Sequence, residues 1–219
     1  MMPISAIAWC WRSLLDCFAP VSCPLCGRRL GLEGECRPCG LPDPGAILRQ
    51  LRKDGEGEFL ILAGGAYEGA HRRLVHAYKY RREPGALDLL AAQAAFACGE
   101  LGPWELLVPV AAHPRRLRER GWEPAGELAG AIARCTGLPV ARLLRRVRDT
   151  PPLAGQSARA RRSLVREAFR GLPAHGRLLV VDDVATTGST FRACRRALLD
   201  AGAGSVDLLV AAATPRHLR

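Results

Sequence analysis

Four cysteines stand in two pairs, Cys23-Pro-Leu-Cys26-Gly27 and Cys36-Arg-Pro-Cys39-Gly40, with nine residues between the pairs. Two residues between cysteines let a tight turn aim both sulfurs at one ion, and the glycine after each pair frees the backbone for that turn. Four thiolates close a tetrahedral Zn²⁺ site with no open position, so the expected role of the metal is structural. Paired redox CxxC motifs are the alternative; two copies this close, outside a thioredoxin-like βαβ context, argue against it. The second chemically dense stretch is Leu178-Leu-Val-Val-Asp-Asp-Val-Ala-Thr-Thr-Gly-Ser-Thr190. A buried strand is expected to end in the adjacent acids Asp182 and Asp183, followed by a small-residue loop and a helix starting near Ser189 or Thr190. Backbone N–H groups and the helix N-terminus bind an anion, the Thr and Ser hydroxyls add neutral donors, and Gly188 permits close backbone approach. The paired carboxylates can accept hydrogen bonds from two adjacent ribose hydroxyls, directly or through Mg²⁺. A Ser or Thr after a strand can simply cap the next helix. Two adjacent acids followed by Thr-Thr-Gly-x-Thr are far more specific than a cap.

Positioning these groups requires a scaffold, and the sequence supplies one. From Phe59 onward, short apolar runs at 59–63, 105–110, 177–181 and 205–211 alternate with helical patterns around 70–80, 85–99, 122–136 and 189–201. That alternation predicts an α/β domain, a mostly parallel sheet with helices on both faces. The chain divides into an amphipathic helix over 1–20, a cysteine module over 21–42, a linker over 43–58 and the α/β domain over 59–219. Pro42-Asp43-Pro44-Gly45 and Asp54-Gly55-Glu56-Gly57 mark the linker, since such clusters form turns. In the leading helix Ile4, Ala8, Trp11, Leu15 and Phe18 recur at helical spacing, with Ser5, Arg12 and Asp16 between them. It has no basic leader region and lacks the run of ~20 apolar residues that a membrane span needs. Docking on the core or a partner is expected, with a peripheral membrane helix as the alternative. The chain is read as cytoplasmic, without a transmembrane segment.

A hydrophobic content of 48% with 24% charged residues suits a chain that buries a full core, and excludes a disordered one. The net charge of +11 implies an anionic partner: nucleotide, pyrophosphate, nucleic acid or a membrane surface. The remaining cysteines, Cys10, Cys17, Cys98, Cys135 and Cys194, are scattered singly in apolar or helical surroundings and read as packing residues. His71 and His76 read as surface or half-buried packing residues, with no metal-ligand partner apparent.

The stretch 178–190 is similar to the signature with which type I phosphoribosyltransferases bind phosphoribosyl pyrophosphate (PRPP). With the cysteine pairs ahead of it, the chain resembles the ComF family, proteins linked to natural competence and DNA uptake, over nearly its whole length. The likeness extends to Tyr78-Lys79-Tyr80 and to Val108-Pro109-Val110 followed by Arg115 and Arg120-Gly121-Trp122. It also takes in Arg148, Thr150 and Gln156 before Arg162 and Phe169. The resemblance implies a type I phosphoribosyltransferase-like domain preceded by a zinc ribbon. It implies that Asp182 and Asp183, the candidate catalytic pair, face the ribose of PRPP–Mg²⁺. It implies that Ala185, Thr186, Thr187, Gly188, Ser189 and Thr190 hold the 5-phosphate. The loop after Val110, with Arg115, is expected near the pyrophosphate, and Lys79 is a further candidate contact.

The chain departs from the family pattern in several places. The usual Arg-Gly-Phe-Asn-Gln is Arg120-Gly-Trp-Glu-Pro124 here, the usual Pro-Leu after Val110 is Ala111-Ala112 with His113 kept, and an expected Asn is Leu164. In purine-salvage relatives an acid within the phosphate loop can act on the base. Thr186 stands at the matching place and is not titratable, so a transferase reaction here lacks a named base.

Arginines cluster at 115–120, 142–148 and 159–162. They could line a pyrophosphate pocket, form a track for single-stranded DNA, or be the solvated faces of helices. A nucleic-acid groove wants aromatic rings among its cations, and Trp122 and Phe169 are the nearest candidates. Three functions compete: an enzyme displacing pyrophosphate from PRPP, a competence factor handling incoming single-stranded DNA beside other competence proteins, and a PRPP-sensing regulator without turnover. Thr186 and the positive charge favour the second.

Overall fold

The computed structural model describes residues 22–30, 36–41, 48–99, 102, 104–148 and 167–214. The expected helix over 1–20, the cluster at 159–162, and Thr150, Gln156, Arg162 and Leu164 lie outside the described residues. A hairpin of β1 (Leu48–Asp54) and β2 (Gly57–Ala63) is followed by α1 (Gly69–Arg81) and α2 (Pro84–Gly99). Next come β3 (Leu106–Pro109), α3 (Pro114–Arg120), α4 (Pro124–Thr136) and the short strands β4 (Leu144–Arg146) and β5 (Phe169–Gly171). The chain closes with β6 (Arg177–Ala185), α5 (Ser189–Asp200) and β7 (Ser205–Ala213).

The main sheet has the order β1-β2-β7-β6-β3, with β2, β7, β6 and β3 parallel and β1 antiparallel at the edge. β4 and β5 form a separate antiparallel pair. This is the mostly parallel α/β arrangement expected. Its central strands are apolar on both sides because both faces are covered. Alternation along the strands divides the core in two. Leu179, Val181, Leu209 and Ala211 pack with Leu74, Tyr78, Leu90, Leu128 and Ile132 of α1, α2 and α4. Leu178, Val180, Leu208 and Val210 pack on the other face with Phe191, Cys194 and Leu198 of α5, and with Leu144 and Phe169 of the small sheet.

Two expectations need correction. Residues 48–58, placed in a linker, are β1, its turn and the start of β2. Four of the seven residues of β1 are charged, so the strand lacks an apolar signature. That composition suits an edge strand, where charge deters pairing with another chain. The second correction concerns β6. It does not end at the acids but continues to Ala185, pairing Asp182 with Val210 and Val184 with Ala212 of β7. Asp182 therefore shares a face with Leu178 and Val180, and Asp183 shares the opposite face with Leu179 and Val181.

The described residues of the cysteine module share the core of the α/β domain. Cys23, Cys36, Cys39 and Leu41 belong to the same buried cluster as Leu74, Val75 and Ala77 of α1. Arg73 of α1 donates to the Cys39 carbonyl, and Pro24 lies beside Gly85 at the start of α2. Among the described residues no helix is long and apolar enough to cross a membrane.

Candidate functional site

The four cysteine sulfurs lie within 4.8 Å of one another, with Cys26 Sγ and Cys36 Sγ 3.6 Å apart. A tetrahedral Zn²⁺ with bonds of about 2.3 Å sets its sulfurs about 3.8 Å apart, so the residues fit the ion. Each knuckle turns as the spacing predicts. Gly27 donates to the Cys23 carbonyl at 2.8 Å, Leu41 to the Cys36 carbonyl at 3.1 Å, and Gly27 and Gly40 both take left-handed φ values of 73° and 60°. As bare thiols Cys26 and Cys39 are driven in opposite directions. The backbone hydrogen bond at Arg28 brings Cys26 down to about 7, while the bond to Cys26 pushes Cys39 up to about 12. A divalent cation removes that conflict by favouring all four thiolates. We expect one Zn²⁺ per chain, measured by metal analysis of the purified protein, and its loss in a Cys36→Ser/Cys39→Ser variant. Zinc retained by that variant would refute the assignment.

The other site forms where β6 leaves the sheet. Carboxyl ends of parallel strands are where α/β folds bind ligands. β3 pairs with β6 in register, Pro109 opposite Val181, and Val110 N–H donates to the Val181 carbonyl at 2.9 Å. The segment after Val110 and the loop 185–190 therefore leave the same edge of the sheet. Gly188 caps α5 with φ 66° and has no side chain to bond the helix start, where Ser189 N–H donates to Thr187 Oγ1 at a long 3.5 Å. The first N–H groups of a helix lack partners within it, so the start of α5 offers donors and a positive dipole end.

The loop holds its own shape. Thr187 Oγ1 and Ser189 Oγ are 2.9 Å apart, Arg192 donates to the Thr187 carbonyl at 2.8 Å, and Thr214 Oγ1 donates to the Thr186 carbonyl at 3.2 Å. Ala185 is buried as the last residue of β6, and Thr186 and Thr187 are exposed. Ser189 and Thr190 begin α5 and are half-buried.

Lys79, in the last turn of α1, reaches across to Asp183, with Nζ 2.8 Å from Oδ2. Burial opposes the ammonium charge, but Asp183, with Asp182 behind it, outweighs burial, and Lys79 holds its proton more tightly than usual. Asp182 turns back on its own backbone, Oδ1 accepting from Asp183 N–H at 2.9 Å. Burial first, and the Asp183 charge second, push its carboxyl up to about 7. The Arg146 guanidinium in β4 acts in the opposite direction on Asp182 and also lies over Phe169, 5.4 Å from the ring centre. Sequence reasoning placed Arg146 in an undifferentiated basic cluster. Its role follows from the packing of the small sheet on α5, which no local pattern announces.

The other expected residues are distributed differently. Arg115 lies in the exposed helix α3, ion-paired with Glu119 at 2.9 Å. His113 caps that helix through Nδ1, which accepts from Arg115 N–H at 3.3 Å. The Glu123-Pro124 departure has a structural use. Glu123 accepts from Ala112 N–H at 2.9 Å and pairs with Arg142, while Pro124 opens α4. Arg148 pairs with Glu167 at 2.7 Å and Arg142 with Glu123, so two arginines of 142–148 are engaged by separate carboxylates, while Arg145 is exposed. Trp122 and Phe169, the two rings considered for base stacking, are 8% and 7% exposed. Trp122 sits edge-on to Tyr78 at 5.2 Å with Arg82 over it at 4.9 Å, and so belongs to the core. His71 is buried too, its ring filling the space beside Gly65, and burial lowers its pKa.

No family model matches the chain. It is 30% identical over 221 residues to the DNA utilization protein YhgH of Salmonella typhimurium strain LT2, covering 95% of this chain and 97% of that protein. Over the same length it is 28% identical to the protein of that name in Escherichia coli strain K12, again covering 95% and 97%. Among solved structures, glutamine PRPP amidotransferase from B. subtilis aligns with TM-score 0.44 and 18% identity, over 74% of this chain and 35% of that one. Orotate phosphoribosyltransferase from Aeropyrum pernix aligns with TM-score 0.34 and 18% identity, over 80% of this chain and 92% of that one.

Proposed function

The chain belongs to the family of the DNA utilization protein YhgH, and from that membership we propose that it is a ComF-type protein that binds PRPP–Mg²⁺ and handles incoming single-stranded DNA. The observation that carries the PRPP reading is the end of β6, where a helix start capped by glycine and a hydroxyl-lined loop follow directly on two carboxylates, one on each face of the strand. The 5-phosphate would lie on the α5 N-terminus, with Thr187, Ser189 and Thr190 as neutral donors. Asp182 and Asp183 supply carboxylate oxygens that would accept from ribose hydroxyls or ligate Mg²⁺. Lys79 steadies Asp183 and places a cation where pyrophosphate charge would gather.

DNA handling draws support from the relatives' name, the net charge of +11 and α3, a helix with four arginines and no buried residue. A second reading, an active phosphoribosyltransferase, has one observation in its favour. Asp182, with a carboxyl near 7, is the kind of titratable group that proton transfer needs. Pyrophosphate release with some nucleobase, lost in Asp183→Asn, would favour that reading.

A titration of PRPP with Mg²⁺, repeated with single-stranded DNA present, tests the proposal. Saturable PRPP binding and a DNA complex are both expected; failure to bind PRPP would end the first half and failure to bind DNA the second. The sign of the pH dependence follows from Asp182. The carboxylate is the form that accepts hydroxyls and Mg²⁺, and its folded pKa lies near 7, above the ordinary value. PRPP affinity should therefore rise with pH up to about 7, falling about tenfold per unit below it, and then level off. Asp182→Asn should flatten that profile.

A further inference from the structure

With Trp122 and Phe169 buried, base stacking at this surface needs other rings. Tyr80 is 68% exposed, and it is the outer end of an aromatic row. Arg72, His76 and Tyr80 stand four residues apart along α1, so they share one stripe of the helix. The His76 ring stacks on Tyr67, with centres 6.5 Å apart and planes at 28°, and Tyr67 Oη lies 3.2 Å from His76 Nε2. His76 also meets Tyr80 edge-on, with centres 5.3 Å apart. Tyr67 is fixed by its N–H donating to the Ala213 carbonyl at 2.7 Å, where β7 ends. The row thus begins at the carboxyl edge of the sheet and runs along α1 to the neighbour of Lys79.

Cations flank the rings. Arg72 and Arg81 are exposed, whereas Arg73 is committed to the Cys39 carbonyl and Arg82 to Glu127. We infer that the Tyr67–His76–Tyr80 row is a platform for single-stranded DNA, with bases stacking on Tyr80 and His76 and phosphates meeting Arg72 and Arg81. Exposed rings interleaved with cations complement a flexible polyanion whose bases present π-faces. Protein interfaces also use Tyr and Arg; a strand is distinguished from a protein by the linear log–log salt dependence of counterion release. A duplex hides its base faces, so it gains only the phosphate contacts. The inference rests on the DNA-handling reading above and places the strand on α1, away from the arginines of 142–148.

Fluorescence anisotropy with a labelled oligothymidine and the zinc-loaded full chain tests it. Tyr80→Ala should weaken binding about tenfold, and Tyr80→Phe, which keeps the ring, should restore affinity to within about twofold of the original. The double variant Arg72→Ala/Arg81→Ala should reduce the log–log salt slope by about one and a half, at about 0.7 per phosphate contact. Zinc content and circular dichroism unchanged from the original chain would show that the folds compare. If the original chain binds the oligonucleotide and Tyr80→Ala and His76→Ala bind it equally well, the platform is refuted while DNA handling stands. If the original chain binds no single-stranded DNA, both fall.

Discussion

Replacing Gly188 with valine should lower PRPP affinity by about tenfold or more, since ~1.4 kcal/mol is a factor of ten. Gly188 has φ 66°, a left-handed conformation that a β-branched residue adopts only under strain. It is also the residue from which α5 starts, with Arg192 N–H donating to its carbonyl at 3.0 Å. Valine therefore strains the helix start and adds bulk where the proposed site would bring a phosphate to the backbone. Gly188→Asn separates the two effects, because asparagine tolerates the left-handed region and brings less bulk. Its affinity should fall between those of the glycine and valine proteins. Isothermal titration of PRPP–Mg²⁺ against the folded variants gives the answer. A folded Gly188→Val protein with undiminished affinity would remove residues 185–190 from the site.

The second large effect concerns stability. Arg195 of α5 is buried with 4% of its side chain exposed, yet it carries a full charge. Its guanidinium bonds Asp54 at 2.7 Å and the Glu56 and Glu58 carbonyls at 3.1 and 3.2 Å, and lies over Phe59 at 5.1 Å. One side chain thus ties the β1–β2 turn to the helix that follows loop 185–190. Arg195→Ala should cost about 3–5 kcal/mol, because it strands a partly buried carboxylate and two carbonyls. That is a large share of the roughly 5–15 kcal/mol that hold a typical domain folded. Urea denaturation measures it. Asp54→Ala combined with Arg195→Ala should cost clearly less than the two changes summed, since the stranded charge is then gone. Additive losses would mean that Asp54 and Arg195 are not energetically coupled.

Much of the site could be read in one dimension because its determinants are local. A CxxC-Gly knuckle turns on itself, and the geometry of Cys23, Cys26, Cys36 and Cys39 needs only two such turns brought together. The loop 185–190 is similarly local, since Gly188 and the helix start at Ser189 follow from small residues between a strand and a helix. The four parallel strands announced themselves as apolar runs, as strands covered on both faces must.

Other features depended on partners distant in sequence. β1 is mostly charged and becomes a strand only because β2 offers its edge and Arg195, 141 positions on, neutralises Asp54. Asp182 and Asp183 read as one pair, but the pleat of β6 sends one toward Arg146 and α5 and the other toward Lys79 and α1. Trp122 and Phe169 looked available until packing closed over them. Tyr80 gave no such sign and remained exposed. The sequence alone therefore determined which residue types stand ready for zinc and phosphate, because short turns and helix starts are set by neighbouring residues. Tertiary structure decided which charges meet and which rings face water, because burial and ion pairing depend on the chain's return from elsewhere in the fold.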